Sequence, residues 1–266
     1  MKLRKKILFC TYPSIYSDLV LQCLLNSAEI DLVGVVYSTR TANIHDSFLQ
    51  GAFRHLRRSG FAYSFYQWLV TDGYAIAKSF LGRSSIEGRL LQQGIPVHKT
   101  SDINAIASEA FVSAVAADYL LCAHFNQLLK PMLLSIPTRG CVNIHPSLLP
   151  DYKGVDPAFY MLLEQAQQIG VSVHFQSEQF DEGDLLVQRS LEMVSSESLL
   201  SLNSRLFVAG AEAFISLMSE DALFPVRQDS GGRYDSWPTS NQVARLRKKA
   251  LLWRFNEWRK YVCMSF

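Results

Sequence analysis

No apolar run in the sequence approaches the roughly 18 residues that a membrane-spanning helix needs. The basic start MKLRKKILFC is interrupted by Thr11, Tyr12 and Pro13 too early for a secretory leader. Cysteine is sparse and scattered: Cys10, Cys23, Cys122, Cys141 and Cys263 are odd in number and contain no C-x-x-C pair, which excludes a disulfide framework and a zinc site of that type. A surplus of one charge is also missing, since a formal net charge of +2 is too small to argue for nucleic acid. A reducing cytosol is the expected home. With 48% hydrophobic and 19% charged residues, the 266-residue chain can bury one sizeable core.

What is present reads as α/β. KILFC is a short apolar run of the kind found in a buried parallel strand. SDLVLQCLLNS follows with Ser17 or Asp18 as N-cap and apolar residues at helical spacing, and DLVGVVYS is a second strand. Strand, helix, strand of this length predicts a right-handed crossover and a doubly wound, mostly parallel sheet. The rhythm resumes with GIPVHKT, helix INAIASEAFVSAV, strand YLLCAHF, short helix PMLLSIP and strand CVNIH. Between Thr41 and Gly94 it breaks, in an insertion rich in aromatics and expected to be helical.

The stretch VNIHPSLLPDYKG, residues 142–154, opens like a buried strand yet carries Asn143 and His145 two residues apart. Strand side chains alternate, so these two point to one side while Val142 and Ile144 point to the other. Pro146 turns the chain out of the sheet at the carboxyl edge, where open α/β sheets bind ligands. Asn and His at a strand end can also simply satisfy loop backbone. Further on, Val171, Val173 and Phe175 alternate with Ser172, His174 and Gln176, predicting a half-buried strand with one polar face and LLVQRSLEM as its partner. The connecting loop SEQFDEGD holds Glu178, Asp181, Glu182 and Asp184, with Gly183 allowing a tight path. An acidic loop by itself reads as solvated.

Together, NIHPSLLPDYKG, GVSVHF and DEGD resemble the formyltransferases that use 10-formyltetrahydrofolate, the family that includes glycinamide ribonucleotide formyltransferase, methionyl-tRNA formyltransferase and sugar N-formyltransferases. The resemblance covers Lys6 to about Leu191 without the insertion. It implies a Rossmann-like catalytic domain over residues 1–193, interrupted at about 41–94, and a C-terminal helical extension over 194–266 with no separate barrel. It also implies a catalytic trio of Asn143, His145 and Asp181, with Ser172 and His174 supporting Asp181 or a water.

The chemistry needs those residue types. Formyl transfer to an amine passes through a tetrahedral intermediate, so a site must stabilise an oxyanion and move a proton from the amine to the leaving nitrogen. An Asn amide and a donating His suit the first task and a carboxylate beside a His the second. No metal is called for, because His45, His55, His98 and His124 show no ligand spacing. The resemblance places the pterin slot at HFNQLL, with Phe125 and Leu128 as walls and Gln127 between them, and at Gln176, Ser177 and Glu178. FNQLL equally reads as the start of an ordinary helix.

The acceptor is the open question. The first loop, CTYPSIYSD, has no glycine for a phosphate cradle, which disfavours the ribonucleotide. The residues after Met193 are too few for the further domain of the tRNA enzyme. A small amine remains, an amino sugar nucleotide foremost, met by Tyr12 and Tyr16 of the first loop and by Lys153, whose ammonium suits a phosphate. A 10-formyltetrahydrofolate hydrolase and a non-catalytic folate or lipid-surface binding protein are the alternatives. The C-terminus NQVARLRKKALLWRFNEWRKYVCMSF sets seven basic residues against Glu257 alone. Read as one amphipathic helix it suits an anionic membrane surface, which would make a cytoplasmic protein membrane-associated; docking on its own domain or on the second subunit of a homodimer is the plainer reading.

Overall fold

The structure is a computed structural model that describes residues 3–40, 48–82, 86–220, 222–229 and 231–264. The chain runs β1 (Lys5–Thr11), α1 (Ile15–Asn26) and β2 (Ile30–Ser38), then the three helices of the insertion, α2 (Phe48–Val70), α3 (Asp72–Phe80) and α4 (Ile86–Gln92). Residues 41–47 of the expected insertion lie outside the described residues. β3 (Val97–Thr100), α5 (Ile106–Ala114), β4 (Tyr119–Ala123), α6 (Pro131–Leu134) and β5 (Gly140–His145) complete the alternating part. There follow β6 (Lys153–Gly154), α7 (Pro157–Glu164), β7 (Ile169–Phe175), β8 (Leu185–Leu191), α8 (Leu199–Met218), β9 (Tyr234–Asp235), α9 (Ser240–Arg247) and α10 (Phe255–Cys263).

Seven strands form one sheet in the order β3-β2-β1-β4-β5-β7-β8. The pairs from β3 to β5 are parallel, and β7 and β8 add antiparallel at the edge. The chain moves outward from β1 to β3 and then returns to the other side of β1, so the switch point lies between β1 and β4. Ligands bind such sheets in the crevice beyond the carboxyl ends of those strands. Period-2 alternation divides the core: Ile7 and Phe9 pack on one face with α1, α7 and α8, while Leu8 and Cys10 pack on the other with Val112 of α5 and Leu133 of α6. The first face is much the larger, because the insertion is built into it. Tyr63 and Tyr66 of α2 are fully buried there, each contributing about 2–3 kcal/mol by burial.

Several local expectations change. The N-cap of α1 is Ser14, not Ser17 or Asp18: its side chain accepts from the Ser17 amide, and the Ser17 hydroxyl accepts from the Ser14 amide to complete a capping box. Asp18 is instead buried, accepts from the Tyr74 hydroxyl at 2.8 Å and faces Lys78 at 3.6 Å. β7 is buried on both faces rather than one, since α8 covers one side and the 147–152 turn the other. Residues 125–130 form a loop and do not start a helix.

The basic C-terminus is not one helix. It breaks over 248–254 because the Leu251 and Leu252 carbonyls accept from the Leu199 and Leu200 amides, donors that the first turn of α8 cannot satisfy itself. Both halves dock on the domain: Leu246, Leu252 and Val262 are buried, Lys249 donates to the Leu163 carbonyl and Trp258 Nε1 to that of Leu69.

Candidate active site

The register of β5 against β7 sets Asn143 directly opposite His174 and His145 directly opposite Ser172. Two polar pairs therefore stand side by side on one face of the sheet, at the carboxyl end of β5 next to the switch point. Cross-strand neighbours approach closely enough to bond, and the Asn143 amide nitrogen lies 3.1 Å from His174 Nε2. His174 Nδ1 sits 2.7 Å from its neighbour's carbonyl, Phe175 O. A carbonyl accepts only, so Nδ1 carries the proton, Nε2 accepts, and Asn143 is the donor to this ring. Burial and the nearby His145 charge push the His174 pKa down to about 4, which keeps this ring neutral.

Past Pro146 the chain loops back and returns a carboxylate from the β7–β8 connection. His145 Nδ1 lies 3.2 Å from Asp181 Oδ1, both side chains buried. Asp181 Oδ2 accepts from the Gly154 amide at 2.9 Å, and His145 Nε2 lies 3.0 Å from the Tyr152 carbonyl. Burial disfavours charge on both partners, yet each compensates the other: Asp181 falls to about 2 through His145, His174 and the Gly154 amide, and His145 rises through Asp181 and the Tyr152 carbonyl. The Tyr152 carbonyl fixes the tautomer, because it keeps Nε2 protonated in every state. The position that can gain or lose a proton is the space between Nδ1 and Oδ1.

The sequence-derived assignments divide. Asn143, His145, His174 and Asp181 come together as two bonded pairs, Asn143 with His174 and His145 with Asp181, whose histidine rings approach to 6.4 Å between centroids. Ser172 does not reach Asp181: its hydroxyl accepts from the Leu149 amide at 2.9 Å and from Gln188 Nε2 at 2.9 Å and donates to the Ser147 carbonyl at 2.7 Å, which staples the 147–150 turn to the sheet. Tyr16 is buried, stacked on Phe207 and hydroxyl to hydroxyl with Tyr66, so it is a core residue and not a substrate contact. Tyr12 stays half-buried beside the switch point, its ring edge-on to His124. Lys153 is no surface cation: it is buried and ion-paired to Glu182 at 2.6 Å, which removes it as a ready phosphate ligand. Gln127 is spent inside, taking the Ile103 amide at 2.7 Å and giving to Ser38 Oγ at 2.8 Å, so it shapes the slot rather than lining it. Phe125 and Leu128 remain half-buried in that loop. Gln176 holds the Cys141 carbonyl through its amide, Ser177 bonds Gln179, and Glu178 is exposed.

Three elements had no signal in residue type. The Tyr152 carbonyl and Gly154 amide are backbone groups, aimed by left-handed conformations: φ is 55° at Tyr152, 114° at Gly154 and 58° at Asp181. Non-glycine residues in that region cluster at functional sites. The third is a strap ahead of β9. Val226 pairs with Leu185 through two backbone bonds, Gln228 Nε2 donates to the Asp181 and Gly183 carbonyls, and Tyr234 stands near Phe180. Gly183 itself is required, because a Cβ there would sit 1.8 Å from the Phe175 carbonyl oxygen.

Residues 89–218 match the family model described as formyl transferase. Methionyl-tRNA formyltransferase of Bacillus licheniformis is 27% identical over 176 residues, 60% of this chain and 56% of that protein. The protein of that name from Anaplasma phagocytophilum is 31% identical over 161 residues, 60% of this chain and 52% of that one. The chain thus spans about half the length of the curated relatives it matches. Among solved structures, a sugar N-formyltransferase from Shewanella superposes with a TM-score of 0.55 at 13% identity, over 87% of this chain and 76% of that one. Glycinamide ribonucleotide transformylase 1 from Symbiobacterium toebii gives 0.55 at 15% identity, over 85% and 95%. At such identities these two likenesses speak for the fold, which is that of the formyltransferases.

Proposed function

We propose that this chain, which carries a formyl transferase domain at residues 89–218, moves a formyl group from 10-formyltetrahydrofolate to a primary amine, foremost that of an amino sugar nucleotide. The observation that carries the reading is the buried His145–Asp181 pair with Asn143 beside it, all at the carboxyl edge of the sheet.

The amine nitrogen adds to the formyl carbon and the carbonyl electron pair moves onto oxygen. Asn143 gives one N–H to His174 and keeps a second, which stabilises that oxyanion. The ammonium proton passes to the His145–Asp181 pair, where it settles between Nδ1 and Oδ1. The pair then returns a proton to the folate nitrogen, the bond from carbon to that nitrogen breaks, and tetrahydrofolate and the formamide leave. With Nε2 committed to the Tyr152 carbonyl, His145 acts through its carboxylate side and not as an oxyanion donor. The pair is therefore one base with one proton, its pKa drawn upward toward the operating range, where general bases are most effective. Phe125, Leu128 and the backbone of 176–178 are the groups available to the pterin, and Tyr12 is the first-loop side chain left for the acceptor.

Support for the acceptor class is the first loop, which offers Tyr12 and has no glycine for the phosphate cradle of a ribonucleotide site. The test is to incubate the protein with 10-formyltetrahydrofolate and follow tetrahydrofolate release with amino sugar nucleotides, with methionyl-tRNA and with no amine. Release that depends on an amino sugar is the expected result. Formylated tRNA would overturn the acceptor class alone. Formate without any amine, or no folate binding, would overturn transfer itself.

A further inference from the structure

The insertion and the C-terminus meet in a surface that the active site does not use. α2 bends at Gly60, whose φ of 77° interrupts the helix, and its second half lies against the C-terminal segment. Phe65 and Trp253 approach to 6.2 Å between ring centroids, and Trp258 Nε1 donates to the Leu69 carbonyl at 3.0 Å. Rings continue outward from both contacts: Phe61 stacks on Phe65 at 5.9 Å, Phe65 meets Trp68 at 5.6 Å, and Phe255 meets Trp258 at 6.4 Å. The rings are packed on one another yet open to solvent, with Phe61 75%, Phe255 64% and Trp68 44% exposed. Leu251, between them in sequence, is also exposed. Large contiguous apolar exposure marks an interaction site.

Cations stand on α9, which packs on α2, and on α10, which carries Phe255 and Trp258. Arg245, Arg247 and Lys248 close α9, and Arg259 and Lys260 stand exposed on α10. None of the five has a carboxylate partner among the described residues. Glu257, the acid of this segment, is already paired with Arg254 and the Ser198 hydroxyl. In the first half of α2, Arg54, Arg57 and Arg58 line a groove of about 560 Å³ with Phe53.

We propose that this face docks on an anionic lipid bilayer, with the rings at the boundary of headgroups and acyl chains and the cations on lipid phosphates. Aromatic rings are the side chains that settle at that depth, and cations beside them add the electrostatic half of the affinity. Attachment is peripheral, since no helix among the described residues is long and apolar enough to cross a membrane. Charge decides against a second copy, which would bring the same positive surface against itself. A nucleic acid would match the cations, but the exposed aliphatic Leu251 among the rings suits acyl chains and offers a base no ring to stack on.

The experiment sediments the full chain with phosphatidylcholine vesicles and with vesicles that also contain phosphatidylglycerol. Cosedimentation with the anionic vesicles, at least tenfold above the neutral ones, is expected. Arg245→Glu, Arg247→Glu and Lys248→Glu combined should lower it roughly a hundredfold, at about fivefold for each cation. Phe61→Ser with Phe255→Ser should lower it while preserving the melting curve, both side chains being exposed. Three of the four tryptophans lie on this face, so lipids brominated in the acyl chain should quench the wild-type emission, a readout that needs no variant. Equal binding to neutral vesicles, absence of quenching, binding of tRNA without binding of vesicles, or a dimer broken by Phe61→Ser would each overturn the proposal.

Discussion

Replacing Asp181 by Asn keeps the shape of the side chain and removes the charge that faces His145. At 3.2 Å the two charges attract by about 5 kcal/mol in an effective dielectric of about 20. A carboxyl at about 2 instead of 3.8 retains only about 2 kcal/mol of that as stability, and burial of both groups cancels the rest. The sign follows from the direction of the shift. A depressed carboxyl stabilises the fold above its unfolded value and loses that contribution as pH falls, here between about pH 4 and pH 2. Urea unfolding of Asp181→Asn should therefore show a deficit of about 2 kcal/mol at neutral pH that closes toward pH 2. Without the carboxylate, burial and the Lys153 charge outweigh the remaining Tyr152 carbonyl contact, and the His145 ring becomes neutral. Turnover should fall by about a hundredfold or more while folate affinity stays within a few-fold. A stability gap that does not change with pH, or turnover within about threefold of wild type, would refute both the ion pair and its catalytic use.

The pH profile offers a second check: kcat/KM should rise with pH through a single step above the ordinary histidine value of 6.5, because His145 is raised and the pair must be unprotonated to accept the amine proton. A profile that falls over that range would reverse the assignment. Asn143→Ala should lower kcat by about 10²–10³-fold with little change in folate binding, as measured by thermal shift with 5-formyltetrahydrofolate. Gly183→Ala should lower the melting temperature and the activity together, since its Cβ would drive the Asp181 loop off the Phe175 carbonyl.

Side-chain alternation made much of this site legible. Asn143 with His145, and Ser172 with His174, share faces whatever surrounds the strand, so their pairing could be anticipated from spacing. What Ser172 does with its face could not, because its partners are backbone groups of a turn it helps to define. Lys153 reads as solvated in a loop sequence. It is buried because residues 153–154 pair with residues 234–235, a contact that no local pattern announces. The long basic helix was miscounted for a similar reason. Helical spacing runs on through 248–254, but the open amides of α8 draw that segment into an extended path.

The Asp156 carboxylate shows how far the insertion has been absorbed. It caps α7 through the Phe159 amide, two residues along from the glycine that holds Asp181, and it takes the Tyr63 hydroxyl at 2.6 Å and Asn203 Nδ2 at 3.3 Å. Tyr63 comes from α2 and Asn203 from α8, so a helix foreign to the alternating fold supplies one of the three donors to a buried anion beside the site. Grafting this site onto a scaffold without α2, or trimming α2 to make a minimal domain, leaves that anion short of a donor. It would then take up a proton or pull water inward, and the turn carrying Tyr152 and Gly154 would lose its footing. For protein engineering the smallest transferable unit is the alternating core together with residues 61–70, even though those residues touch neither His145 nor Asp181.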